Sequence, residues 1–310
     1  MKTITAEKAT LQGSGILQEA LKITACPPGK ATHFVISHGK RLKFIVCLNN
    51  GLSKLKQTLA AYNKNLKLLI HFLPLIPWRL LAATGMGQFV QVKVHQDILK
   101  HIPEHHRWNI LVGTYDSAQK IVLQCFSGKD TPCVYIKVGN AASDDQMQRE
   151  INFLRKNKRY HCLSIPRHIN SVLITESSTF NILTTAEFKG NKITPVLTKE
   201  IYNISREIAG EPVILDGIPY EFSHGDFAPW NIRKTSPTYT VFDWEHCGLR
   251  PAGYDIAYFV IMTEIALNKR RFDEAFDIAI RKLRQFNTEI DVDKERIRHE
   301  FAKTTKSLQF

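Results

Sequence analysis

Two stretches decide how the chain is read: Ser223-His224-Gly225-Asp226-Phe227-Ala228-Pro229-Trp230-Asn231, and Val241-Phe242-Asp243-Trp244-Glu245 after it. Residues 231–234 and 239–242 read as strands meeting at Ser236-Pro237-Thr238. The midpoint of positions 231 and 243 is Pro237, inside that turn. A hairpin in this register sets Asn231 opposite Asp243, with Cβ atoms about 5 Å apart. Gly225 and Pro229 bend the loop that carries Asp226, so it can face the same space. Three oxygen-bearing side chains then converge.

Such a set suits phosphoryl transfer from Mg-ATP, which needs a carboxylate for the attacking hydroxyl and oxygen ligands for Mg2+. The spacing HGDxxxxN, with a hydrophobic-Asp-Trp-Glu whose aspartate lies 17 residues after Asp226, resembles the aminoglycoside phosphotransferase and choline kinase superfamily. That superfamily shares the protein-kinase fold. The resemblance implies Asp226 as catalytic base and Asn231 and Asp243 as Mg2+ ligands. It also suggests that His224 and Asp255, the latter in Pro251-Ala252-Gly253-Tyr254-Asp255, organise the catalytic loop. It covers 107–310. The form HGDFAPWN behind a basic N-terminal region further resembles phosphotransferases of bacterial surface-polysaccharide pathways. Ser37-His38-Gly39-Lys40 repeats three letters of the motif without its aspartate and receives no chemistry.

The nucleotide half is sought upstream. Val134-Tyr135-Ile136-Lys137 has the strand position of a lysine that binds the α- and β-phosphates. Glu150, thirteen residues on, is its expected ion-pair partner. The loop Gly113-Thr114-Tyr115-Asp116-Ser117-Ala118 would cover the phosphates, with one glycine where protein kinases have GxGxxG. Residues 185–188 fall where an inter-lobe hinge presents backbone groups to adenine.

Short β-type runs at 110–114, 121–126, 134–138, 172–175 and 180–184, with a helical period over 145–156, predict an α+β layer. Helical periods dominate afterwards, at 199–209, 254–267, 272–286 and 294–303. The expected fold is a protein-kinase-like two-lobe α+β fold, with a small five-stranded antiparallel N-lobe at 107–186 and a mainly helical C-lobe at 187–310. Residues 1–106 read as a separate basic region. Phe34-Val35-Ile36 and Phe44-Ile45-Val46 suggest a hairpin there, followed by a helix over 52–69.

The net charge of +13 is concentrated in residues 1–105, which hold 14 Lys+Arg against 4 Asp+Glu. That excess suits an anionic partner or a solvated surface, and peripheral association with an anionic membrane is compatible with it. No nucleic-acid motif accompanies it. The apolar stretch 66–81 is interrupted by charges and prolines and is too short to span a bilayer; it reads as a buried or interfacial helix. No signal peptide is expected in 1–22. Six cysteines without a CxxC pair read as reduced thiols of a cytoplasmic protein.

Only seven residues separate Asp243 from Pro251, leaving no room for a long activation segment. The expected acceptor is therefore a small molecule or glycoside: a sugar, aminosugar or amino alcohol. Glu264, Asp273, Glu274 and Asp277 could draw in a cationic one. The competing reading is a kinase-like scaffold or nucleotide sensor docking through the basic first third.

Overall fold

The computed structural model describes residues 15–38, 41–48, 82, 87–113, 118–127, 132–176, 178–187, 190–286 and 293–305. In chain order the first elements are α1 (Gly15–Ala20), β1 (Leu21–Ala25), β2 (His33–His38), β3 (Arg41–Cys47), β4 (Gly87–Val94) and α2 (Gln96–Leu99). Then come β5 (Arg107–Val112), β6 (Ile121–Phe126), β7 (Val134–Gly139), α3 (Asp144–Arg155), β8 (Leu163–Ser164), β9 (His168–Val172) and β10 (Asn181–Ala186). The rest are β11 (Asn191–Lys192), α4 (Lys199–Ala209), β12 (Val213–Leu215), β13 (Ile218–Ser223), β14 (Ile232–Lys234), β15 (Tyr239–Val241) and β16 (Gly248–Pro251). Helices α5 (Tyr254–Ala266), α6 (Phe272–Phe286) and α7 (Lys294–Thr305) complete them.

The chain divides into two compact units, one within 1–144 and 169–187, the other within 145–168 and 188–310. The first is built on a nine-stranded sheet in the order β1-β4-β2-β3-β5-β6-β7-β10-β9. Alternate residues such as Val35, Ile45, Ile110, Leu123, Ile136 and Ile182 share one core, which Ile16 and Leu17 of α1 and Ile98 of α2 join.

The α+β class is as expected, but the sheet has nine strands rather than five. The expected hairpin forms, as Phe34 pairs with Val46 and Ile36 with Phe44. It is not separate: Phe44 and Ile45 pair with Leu111 and Ile110, satisfying the edge that β5 would otherwise expose. The boundary expected at 106 therefore falls inside one sheet. Residues 145–168, expected within a lobe of 107–186, group with the second unit instead. Of the strand expected at 172–175 only Val172 is in a strand, as the last residue of β9. The expected helix at 52–69 and the stretch 66–81 lie outside the described residues.

The second unit has α5 at its centre, where Tyr254 to Glu264 are all buried. Its sequence, YDIAYFVIMTEIA, has no polar face, which is what a helix covered on every side requires. Helix α4 is capped by Thr198, whose side chain accepts from Ile201 N at 3.4 Å. Helix α6, where a helical period was expected at 272–286, buries Phe276, Ala279 and Leu283 on one face. Two small sheets lie beside these helices, ordered β11-β14-β15-β8 and β12-β13-β16. The chain passes from β13 to β14 through 224–231 and returns from β15 to β16 through 242–247. Both passages carry the site. Among the described residues no helix is long and apolar enough to cross a membrane, and all six cysteines are free.

Candidate active site

The loop after β13 is fastened by one buried carboxylate. Asp255, in the first turn of α5 and 3% exposed, accepts from Ser223 Oγ at 2.6 Å, His224 N at 2.7 Å and Gly225 N at 3.0 Å. The positive end of the helix favours that anion. Gly225 has φ +84°, and a Cβ there would lie 2.1 Å from His246 O, so only glycine fits.

His224 is fully buried and has one consistent tautomer. The Asp226 amide donates to its Nδ1 at 3.2 Å, so Nε2 carries the proton and donates to Phe242 O at 3.1 Å. Burial, the largest cause, lowers its pKa to about 4. The imidazole is a neutral bridge between the two passages.

The hairpin forms, but its register differs by one residue from the expected one. Ile232 pairs with Val241 and Lys234 with Tyr239. The Thr235 amide donates to Thr238 O at 2.8 Å, closing a turn with two central residues, Ser236 and Pro237. Such a turn makes the sum of paired positions odd. Asn231 therefore lies opposite Phe242, whose amide donates to Asn231 O at 3.1 Å, and not opposite Asp243. Asp243 instead leaves the ladder with φ +72°.

The expected convergence is reached by other contacts. Asn231 Nδ2 donates to Asp226 Oδ2 at 2.8 Å and to Asp226 O at 3.0 Å, which leaves its carbonyl Oδ1 for a cation. Burial first, and the Asp243 carboxylate second, push the Asp226 carboxyl up to about 8. Hydrogen bonds from Tyr258 and Asn231 oppose that rise. One ligand oxygen each from Glu150, Asp243 and Glu245 lies within 4.8 Å of the others. Glu150 is 4% exposed, and its Oε1 accepts the Trp244 amide at 3.2 Å. Trp244 is itself sealed against Phe153, with ring centroids 4.0 Å apart. Three close carboxylates match the donor set of a hard divalent cation.

The sequence reading did not single out Tyr258, and it gave neither Glu245, quoted as part of the motif, nor Glu150 a place in a carboxylate cluster. Tyr258 had a signal, since it follows Asp255 by three residues on one helix face.

Lys137 and Gly113 belong to the first unit. Lys137 is in the middle of β7, opposite Leu183 of β10 and Val122 of β6. Its expected partner Glu150 belongs to the second unit. The Gly113 amide donates to Lys120 O at 2.9 Å, and a Cβ on Gly113 would meet that oxygen at 2.8 Å. Thr114 and Phe188 lie outside the described residues. Among the acidic residues expected to draw in a cationic acceptor, Glu264 pairs with Arg270 at 3.0 Å and Asp273 with Arg298 at 3.1 Å. Glu274 also faces Arg270, at 3.9 Å, so three of the four are answered by arginine.

Residues 211–291, which include both passages, match the model of the phosphotransferase enzyme family. Similar solved structures include an amicoumacin kinase with AMP-PNP, Ca2+ and Ami, at 11% identity over 70% of this chain and 86% of that one, TM-score 0.41. Another is aminoglycoside 2'-phosphotransferase-IIIa with GDP, at 11% identity, 68% and 87% coverage and TM-score 0.44. A choline/ethanolamine kinase family protein from Mesorhizobium loti is 10% identical, with 64% and 88% coverage and TM-score 0.30. No curated protein matches.

Proposed function

We propose that the chain transfers the γ-phosphoryl of ATP to a hydroxyl of a small molecule or glycoside, with Asp226 as base. The observation that carries this reading is the Asp226–Asn231 pair beside the Glu150, Asp243 and Glu245 carboxylates. The family match over 211–291, which holds Asp226, Asn231, Asp243 and Glu245, supports it.

Asp226 would take the proton of the acceptor hydroxyl as its oxygen attacks phosphorus. Asn231 and Tyr258 fix the carboxylate's direction. A base poised near neutrality suits this task. Asp255 and neutral His224 hold the main chain on which Asp226 is presented.

Asn231, through Oδ1, and Asp243 would hold Mg2+, with Glu150 and Glu245 in the same carboxylate cluster. The ion, when bound, neutralises charge on the transferring phosphates. Lys137 would take the role of α- and β-phosphate ligand. Sugars, aminosugars and amino alcohols are the acceptor classes that the missing activation segment favours.

The test is an ATP-consumption screen over sugars, amino alcohols and aminoglycosides, run with the whole chain and with Asp226→Ala. Acceptor-dependent turnover that vanishes in the variant supports the assignment. Turnover equal in both proteins removes Asp226 from the reaction.

A further inference from the structure

Gly225 stands where the protein-kinase catalytic loop, H-R-D-x-x-x-x-N, carries arginine. A guanidinium reaches the same place from another element. Arg250 of β16 lies beside the loop, its Cζ 3.0 Å from where a Gly225 Cβ would be. It is half-buried, its Cζ is 5.1 Å from the Tyr254 ring centroid, and its Nε is buried without a hydrogen-bond partner.

Its cross-strand neighbour Glu221 does not take up that charge. Glu221 Oε1 accepts the Gly253 amide at 2.7 Å, and Oε2 binds Arg206. The Arg250 charge acts instead on His224, Asp255 and Tyr258, and at Asp255 it offsets part of what burial costs the carboxylate.

We propose that Arg250 is a positioning residue: its guanidinium, packed against Gly225 and the Tyr254 ring, holds 223–225, the main chain that presents Asp226. The catalytic consequence rests on Asp226 being the base. The positioning does not, and the two can be measured apart.

The experiment compares the full chain with Arg250→Met and Arg250→Lys by amide hydrogen exchange and by steady-state ATP turnover. In Arg250→Met, exchange at His224 and Gly225 rises about tenfold or more through local opening, while protection in the α5 and α6 cores is kept. The kcat falls roughly 10–100-fold, as for a slightly misplaced catalytic group, with the KM for ATP within about twofold. Arg250→Lys, keeping the charge without the planar fork, recovers part of both effects. Unchanged exchange at 224–225, or a rise spread evenly over the whole chain, overturns the proposal. So does an unchanged kcat in an active enzyme. A wild type with no turnover on any acceptor counts against the phosphotransferase reading, and the exchange measurement then decides the positioning alone. Should Arg250→Met not fold, the same exchange criterion applies to Arg250→Lys.

Discussion

Asn231 donates through Nδ2 to both the carboxylate and the main-chain carbonyl of Asp226, at 2.8 and 3.0 Å. One amide nitrogen thus closes the five-residue loop and orients the group at its start. Replacing Asp226 removes a buried carboxyl that Asp243 repels. Asp226→Asn should therefore lower kcat by roughly 10²–10⁴ while leaving the melting temperature equal or higher. A fall in both together would mean that Asp226 holds the fold rather than the chemistry.

One ligand oxygen each from Glu150, Asp243 and Glu245 lies within 4.8 Å of the others, a spacing that a divalent cation can bridge. Adding Mg2+ to the nucleotide-free chain should raise the melting temperature, by about 1.4 kcal/mol of stability at tenfold excess over Kd. Asp243→Asn should abolish that response and relieve the repulsion on Asp226. A Mg2+ response of equal size in the variant would move the ion's ligands elsewhere.

The convergence of the loop 223–231 was legible because its residues sit at fixed, short offsets that one turn can bring together. His224, Asp226 and Asn231 needed no long-range information. The hairpin register did not follow, because a midpoint cannot distinguish two central turn residues from three. The Thr235–Thr238 pairing chose two. The size of the sheet was hidden for another reason: the Phe44–Leu111 pairing joins residues 67 positions apart, and a strand's own alternation does not name its neighbour. Glu150 was visible as a helical carboxylate, yet its bond to the Trp244 amide spans 94 residues. Arg250 carried no signal of its own, because its packing on Gly225 joins residues 25 positions apart.

Gly225 cannot accept a side chain. Its φ of +84° costs an L-residue about 1–3 kcal/mol, and the His246 carbonyl lies 2.1 Å from the new Cβ. Gly225→Ala should lose at least that much stability in denaturant titration, with turnover falling further than stability does. Gly210→Ala is the control: its φ is also positive, at +63°, but nothing lies within 4 Å. It should show the backbone cost alone, and equal losses at the two sites would mean that the His246 contact is relieved without penalty.

His33, 5% exposed and stacked on Trp108 at 4.3 Å, gives the first unit a pH dependence of definite sign. Burial lowers its pKa from 6.5 to about 4, so the folded chain keeps the ring neutral where the unfolded chain already protonates it. Between those two values the unfolded state binds more protons, and stability falls as pH drops through the window. Above about 6.5 the contribution is complete; by pH 4 up to about 3 kcal/mol is lost. His224, lowered to about 4 as well, adds to the same slope. His33→Phe keeps a ring against Trp108 and cannot take a proton. Its stability, measured by urea titration from pH 7 to pH 4.5, should decline less steeply than that of the wild type. Parallel curves would show that His33 gains water or a partner before it is protonated.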